Sequence, residues 1–334
     1  MTTWNWQILR AGPLLLDGGG MFGVIPKPVW SRSIDCDEKN RVEVAHNCVL
    51  LESSETDTTL GRPRRVLIET GTGDKMDPKM SAIFGLEPDK SIDRLVEAVG
   101  VDPAEIDHVV VTHLHFDHAG GLTRRCRAGE TPDWTAQGKQ ASGDEPNVKL
   151  TFPNATVFVQ DREWRDAIAN DAVMTRTYYR DHLLPLEAPL PDGSPRVRHV
   201  RSASPFTPGR VPHRDELPDH SVDERWDEVL PGLRVFLTPG HTWGQQAVAF
   251  DASDGGTVVF VPDLMPTVHH VGAAYSLGYD VEPYTAMITK RWFLAEAAAR
   301  GWTLVLDHEP GHPIQRAWAT EKGWFELKPI QTAT

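Results

Sequence analysis

Val109-Val110-Val111-Thr112-His113-Leu114-His115-Phe116-Asp117-His118-Ala119-Gly120-Gly121 is the stretch on which the fold turns. Val109 to Val111 reads as a buried strand that runs straight into three histidines, one aspartate and paired glycines. Imidazole nitrogen and carboxylate oxygen suit zinc and its first-row neighbours. His113 and His115 can point one way from an extended segment, while Asp117 and His118 can turn toward a second position. The natural reading is two metals rather than one.

Working outward, three more strand ends carry the same chemistry. Leu233 to Leu237 precedes His241, Thr257 to Val261 precedes Asp263, and Trp302 to Leu306 precedes Asp307-His308. In layered α/β folds the ends of neighbouring strands form one rim, so groups far apart in sequence can meet there. His113, His115, His118, His241 and His308 with Asp117 and Asp263 make a set sized for two divalent ions, each keeping an open position for water. Read alone, His241 or His308 is an ordinary core or surface histidine and Asp263 a turn residue; their joint occurrence makes them ligands. His46, His108 and His312 lack the strand-end context and read as structural.

Elsewhere strands alternate with helices, which gives an α/β class. Arg41 to Leu51 and Arg65 to Glu69 read as strands joined by a polar turn, and Trp6 to Leu9 and Pro13 to Leu16 as two short β runs. Ser91 to Val99, Asp161 to Asn170 and Ala286 to Arg300 have helical apolar spacing. The loop at residues 17–31 is rich in glycine and proline, so no helix is expected there. Its apolar residues should lie over the protein's own domain or against a second copy, a homodimer. Polar stretches at 124–147 and 186–229 read as surface insertions, the second as a lid or rim. The whole chain, 1–334, is expected to form one domain.

A formal net charge of −13 argues against nucleic acid and against an anionic membrane surface. No run approaches a membrane span and no basic-then-apolar leader is visible. The scattered Cys36, Cys48 and Cys126 read as reduced thiols of a cytoplasmic protein.

The ligands His113-Leu114-His115-Phe116-Asp117-His118, Gly240-His241-Thr242, Pro262-Asp263 and Asp307-His308 make the chain resemble the metallo-β-lactamase-fold hydrolases over nearly its whole length. The resemblance implies a four-layer αβ/βα sandwich with metals at the sheet edges. It implies one ion on His113, His115 and His241, the other on Asp117, His118 and His308, and Asp263 bridging. Glu69 stands where relatives commonly have the aspartate of a D-T-G turn. Zinc is the default metal, with iron, manganese and cobalt also acceptable to such donors.

A bridging hydroxide is then the expected nucleophile, with Asp117 and Asp263 as catalytic carboxylates and Asp117 as proton carrier. The runs Asp17 to Lys27 and Asp280-Val281-Glu282-Pro283 resemble the branch holding lactonases and organophosphate-degrading hydrolases. Quorum-quenching lactonases usually place a tyrosine just after the bridging aspartate; here Leu264-Met265-Pro266 follow. His269, Tyr275 and Tyr279 are the candidate replacement donors, and Met21, Phe22, Trp30 and Trp243 the candidate apolar contacts for a small uncharged substrate. The expected activity is hydrolysis of lactones or carboxylic esters, with organophosphate triesters as side substrates. The alternatives are a phosphotriesterase or arylesterase, or a metal-stabilised binding protein without turnover.

Overall fold

The computed structural model describes residues 2–170, 177–206 and 221–330. It divides the chain into two compact units, one of Asn5–Leu14 and His46–Val200, the other of Met1–Trp4, Leu15–Ala45 and Arg201–Thr334.

In the first unit, six strands hydrogen-bond in chain order: Trp4–Asp17, Arg41–Asp57, Arg62–Ile68, His108–Val110, Thr156–Gln160 and Val197–Val200. The first two begin or end in residues of the other unit. The strands from Arg62 onward are parallel neighbours, with Ile68 beside Val110 and Val110 beside Phe158. Their carboxyl ends therefore reach one edge together, the edge at which open α/β sheets place ligands. Val109, Val111, Leu67 and Val157 face a core completed by Ile92 and Val96 of the helix Ile92–Ala98 and by Ala167 of the helix Asp161–Ala169.

The second unit is built on a seven-stranded sheet, Asp227–Leu230, Leu233–Leu237, Gln246–Asp251, Thr257–Val261, Thr303–Leu306, Ile314–Ala319 and Phe325–Pro329. One pair in it is parallel, with Val261 registered on Leu306. Asp263 and His308 each lie two residues beyond that pair, so the register alone sets them level. The helix Pro283–Arg300 packs Trp292, Phe293 and Ala297 onto this sheet and stops at Gly301 in the left-handed region.

Several expectations need correction. The 17–31 segment contains two short helices, Gly18–Phe22 and Lys27–Trp30. Asp17 caps the first by accepting from the Gly20 N–H, and proline enters the second in its first turn, where its missing N–H costs nothing. The two short runs near the start are one strand, Trp4–Asp17, and the strand from Arg41 continues to Asp57. The 124–147 stretch supplies part of a three-stranded antiparallel sheet, Thr123–Arg125, Asn147–Leu150 and Trp134–Thr135. Within 186–229, Val197–Val200 and Asp227–Leu230 are strands, while residues 207–220, with His213 and His220, lie outside the described residues.

Candidate metal centre

In the first unit the chain leaves Val110, crosses Val111 and Thr112, and enters a one-turn helix, Phe116–Ala119, that carries Asp117 and His118. His113, His115, Asp117 and His118 are all buried. The His113 ring lies 4.5 Å from that of His115 and 3.9 Å from that of His118, and His118 Nε2 is 3.8 Å from Asp117 Oδ1. The turn after Ile68 packs directly against this helix. Thr70 N–H donates to the His118 carbonyl and Gly121 N–H to the Gly71 carbonyl, both at 3.0 Å. A Cβ at Gly120 would stand 2.1 Å from the Thr72 oxygen, and one at Gly121 2.2 Å from the Thr70 oxygen, so the paired glycines are required for that approach.

Glu69 has a definite role there. One carboxylate oxygen accepts from the Thr112 N–H at 2.5 Å and the other faces His118 Nδ1 at 3.0 Å. The longer side chain reaches two partners from a backbone in the left-handed region, φ 65°. His113 Nδ1 is 3.0 Å from the Thr112 hydroxyl. Between the two histidines, Leu114 N–H donates to Glu163 at 2.9 Å, and Tyr178 donates to the same oxygen at 3.2 Å with its ring 5.1 Å from that of His115.

In the second unit Gly240, at φ 140°, brings the chain against Ala286 and sets His241. His241 Nε2 lies 3.1 Å from Asp263 Oδ2, and His308 Nε2 lies 3.3 Å from Asp263 Oδ1. The carboxylate thus offers one oxygen to each ring. Asp307, whose side chain is buried, has an oxygen within 4.8 Å of the donor atoms of Asp263 and His308. The far nitrogens are engaged: His241 Nδ1 is 2.9 Å from Asp280 Oδ1, and His308 Nδ1 is 2.7 Å from the Ala45 carbonyl. Asp280 is itself fixed by the Leu277 N–H at 2.9 Å. Burial works against a charged His241, but Asp263 and Asp280 outweigh it and hold its pKa up at about 10. Their field favours positive charge at this ring.

These residues fit divalent ions of the first transition row. The donors are imidazoles and carboxylates. In His113, His118, His241 and His308 the Nδ1 atom is paired with a hydroxyl, carboxylate or carbonyl, the arrangement that fixes a metal-binding imidazole with Nε2 forward. Sequence reasoning singled out seven candidate ligands but none of these supports. Asp280 lies in a run singled out above, and Glu69 at a strand end was the other available signal; Glu163 and Tyr178 had none.

The candidate substrate contacts divide. Met21, Phe22 and Trp30 are buried within their own unit. Phe22 stacks between Trp30 and His270, each at 5.0 Å, and Tyr275 meets it edge-on at 6.3 Å. Their apolar surface is thus spent on internal packing, and the outward apolar face expected of this segment reduces to Val24 and Val29. His270 carries that packing, with Nε2 2.8 Å from the Met21 carbonyl. Trp243, His269, Tyr275 and Tyr279 are half-buried, with the Tyr279 hydroxyl packed against Gly20.

Comparison with known proteins agrees with this chemistry. The family model described as the metallo-beta-lactamase superfamily matches residues 41–308. The chain belongs to that superfamily and has its α/β fold. A probable metallo-hydrolase of Mycobacterium tuberculosis is 29% identical over 248 residues, 70% of this chain and 63% of that protein. An N-acyl homoserine lactonase, AttM, of Rhizobium johnstonii is 38% identical over 211 residues, 58% of this chain and 66% of that one. The chain therefore spans a little under two thirds of the length of these curated relatives. Among solved structures, a probable metal-dependent hydrolase from Staphylococcus aureus aligns with a TM-score of 0.71 at 22% identity, covering 98% of each chain. The dizinc quorum-quenching lactonase AidC aligns at 0.67 and 15% identity, covering 99% of this chain and 96% of that one. At such identities these likenesses concern the fold.

Proposed function

We propose that the protein is a dinuclear metal-dependent hydrolase of lactones or carboxylic esters. The observation that carries the reading is Asp263, with one carboxylate oxygen toward His241 and the other toward His308, each ring locked from behind. A carboxylate so shared suits a bridge between two ions. One ion would be held by His113, His115 and His241, the other by Asp117, His118 and His308. The ions, when bound, would supply hydroxide near neutral pH and polarise the substrate oxygen. Everything else falls to the chain. Glu69 and Asp280 keep His118 and His241 in the Nε2-forward tautomer. Glu163 fixes the backbone between His113 and His115, and Asp117 carries a proton toward the leaving oxygen. Trp243, His269, Tyr275 and Tyr279 are the residues proposed to meet substrate. The lactonase relative supports lactones as the first class to try.

The test is a hydrolysis panel of lactones, aryl esters, phosphotriesters, thioesters and RNA on purified, metal-loaded protein. Turnover of lactones or aryl esters is expected, with Asp263→Asn folded and at least a hundredfold slower. Activity confined to thioesters or RNA overturns the substrate class. A folded, metal-loaded protein with no turnover at all favours a metal-stabilised binding protein.

A further inference from the structure

The helix Pro283–Arg300 carries a lysine where its spacing calls for an apolar side chain. Ala286 lies one turn before Lys290 on the same face, Phe293, Leu294 and Ala297 lie one and two turns after it, and all four are buried. Lys290 itself is 1% exposed. Burying an ammonium is costly, so one found inside a protein is expected to be held by polar partners.

The Lys290 Nζ donates to two main-chain carbonyls, that of His270 at 3.0 Å and that of Tyr275 at 2.6 Å. Both belong to the segment that links Asp263 to the helix, and this segment carries His269, Tyr275 and Tyr279, three of the residues proposed to meet substrate. Burial draws the Lys290 pKa down to about 8, with Asp280 working against the fall. The charged form therefore still prevails at pH 7, and both bonds are charge-assisted.

The segment depends on such ties because it has little structure of its own. Among the described residues 264–282 the turn Val268–His270 is the one helical stretch, and no strand occurs. Other groups hold its flanks: Val268 N–H donates to Glu309 Oε2 at 3.0 Å, Leu277 N–H to Asp280 Oδ2 at 2.9 Å and Gly278 N–H to the Gly20 carbonyl at 2.7 Å. Between those anchors the ammonium gathers the His270 and Tyr275 carbonyls onto one point. A methionine would fill the same space without the charge, so the packing of the helix alone does not call for lysine.

We infer that Lys290 is a positioning residue for substrate: by drawing the His270 and Tyr275 carbonyls onto one ammonium it sets the loop that presents His269, Tyr275 and Tyr279, and so governs affinity for substrate rather than the metals. The inference rests on the hydrolase reading above. Neither carbonyl belongs to a proposed metal ligand.

Lys290→Met and Lys290→Arg are compared with the parent protein, metal-loaded, on the lactone or aryl ester that the parent turns over fastest. Methionine should raise KM about tenfold and leave kcat within about twofold, and arginine, which can donate to both carbonyls, should recover most of the loss. Metal content should stay at the parent value, and hydrogen exchange of the 271–276 amides should be about tenfold faster in the methionine variant. An unchanged KM in folded Lys290→Met overturns the inference, as do a fall in kcat alone, loss of metal, or unaltered exchange. Should Lys290→Met fail to fold, Lys290→Gln takes its place with the same expectations; failure of both to fold shows that the lysine serves the fold and overturns the inference. A parent protein that turns over nothing on the panel defeats the hydrolase reading by itself, and the exchange of 271–276, which needs no substrate, then decides whether Lys290 holds the loop.

Discussion

Glu69 does two jobs with two oxygens, accepting the Thr112 N–H and facing His118 Nδ1. Glutamine can keep the first with its carbonyl oxygen, but its amide then donates toward Nδ1 and places the imidazole proton on Nε2, where the metal should be. Glu69→Gln is therefore expected to fold normally and to lose about ten- to a hundredfold in metal affinity, measured by competition with a chromogenic chelator. An unchanged affinity would mean that the carboxylate supports backbone only. The proposed ligands stand out in sequence because few residue types coordinate metal and the ends of strands lie together on one rim. The supports are harder to read: Glu69, Asp280 and the Ala45 carbonyl act through orientation, which residue type alone does not encode.

The Gly120-Gly121 pair matters at the level of elements, because it lets the helix Phe116–Ala119 rest on the turn after Ile68. Gly121→Ala places a carbon 2.2 Å from the Thr70 oxygen and 2.7 Å from Ile92 Cγ2. We expect about 1–3 kcal/mol of destabilisation, read as a lower urea midpoint, together with loss of metal as the helix shifts. A wild-type midpoint would show that the turn yields freely. The short buried strands Leu233–Leu237 and Thr257–Val261 were legible as continuous apolar runs, and the helix Pro283–Arg300 by apolar residues at helical spacing. The helices Gly18–Phe22 and Lys27–Trp30 were not. Glycine and proline penalties apply to helix interiors, whereas a one-turn helix is nearly all terminus and is decided by the Asp17 cap and by proline in its first turn. The strands Thr123–Arg125 and Trp134–Thr135 are too short to show a period at all.

At the scale of the whole molecule, three buried or largely buried histidines among the described residues work against stability in acid. Burial pushes His182 and His270 down to about 3, with Lys75 and Lys290 respectively adding to the effect, and burial with Arg64 pushes His108 to about 4. As pH falls below the ordinary histidine value, the unfolded chain takes up protons that the folded chain refuses, so stability falls with pH. Each such proton costs about 1.4 kcal/mol per pH unit between roughly 6.5 and the folded value. His241, raised to about 10, works the other way in the absence of metal, since its contribution is complete below 6.5 and lost toward pH 10. The three outnumber it. Urea unfolding at pH 7 and pH 5 should show the loss, and His182→Leu should make it shallower; equal stability at both pH values would refute it. The two units, finally, are interleaved along the chain, which passes between them after Trp4, Leu14, Ala45 and Val200. No uninterrupted piece of the polypeptide contains either unit without part of the other. A truncation after Val200 thus keeps every residue of the first unit but carries residues 1–4 and 15–45 of the second with it, and no single cut yields the second unit whole without the first.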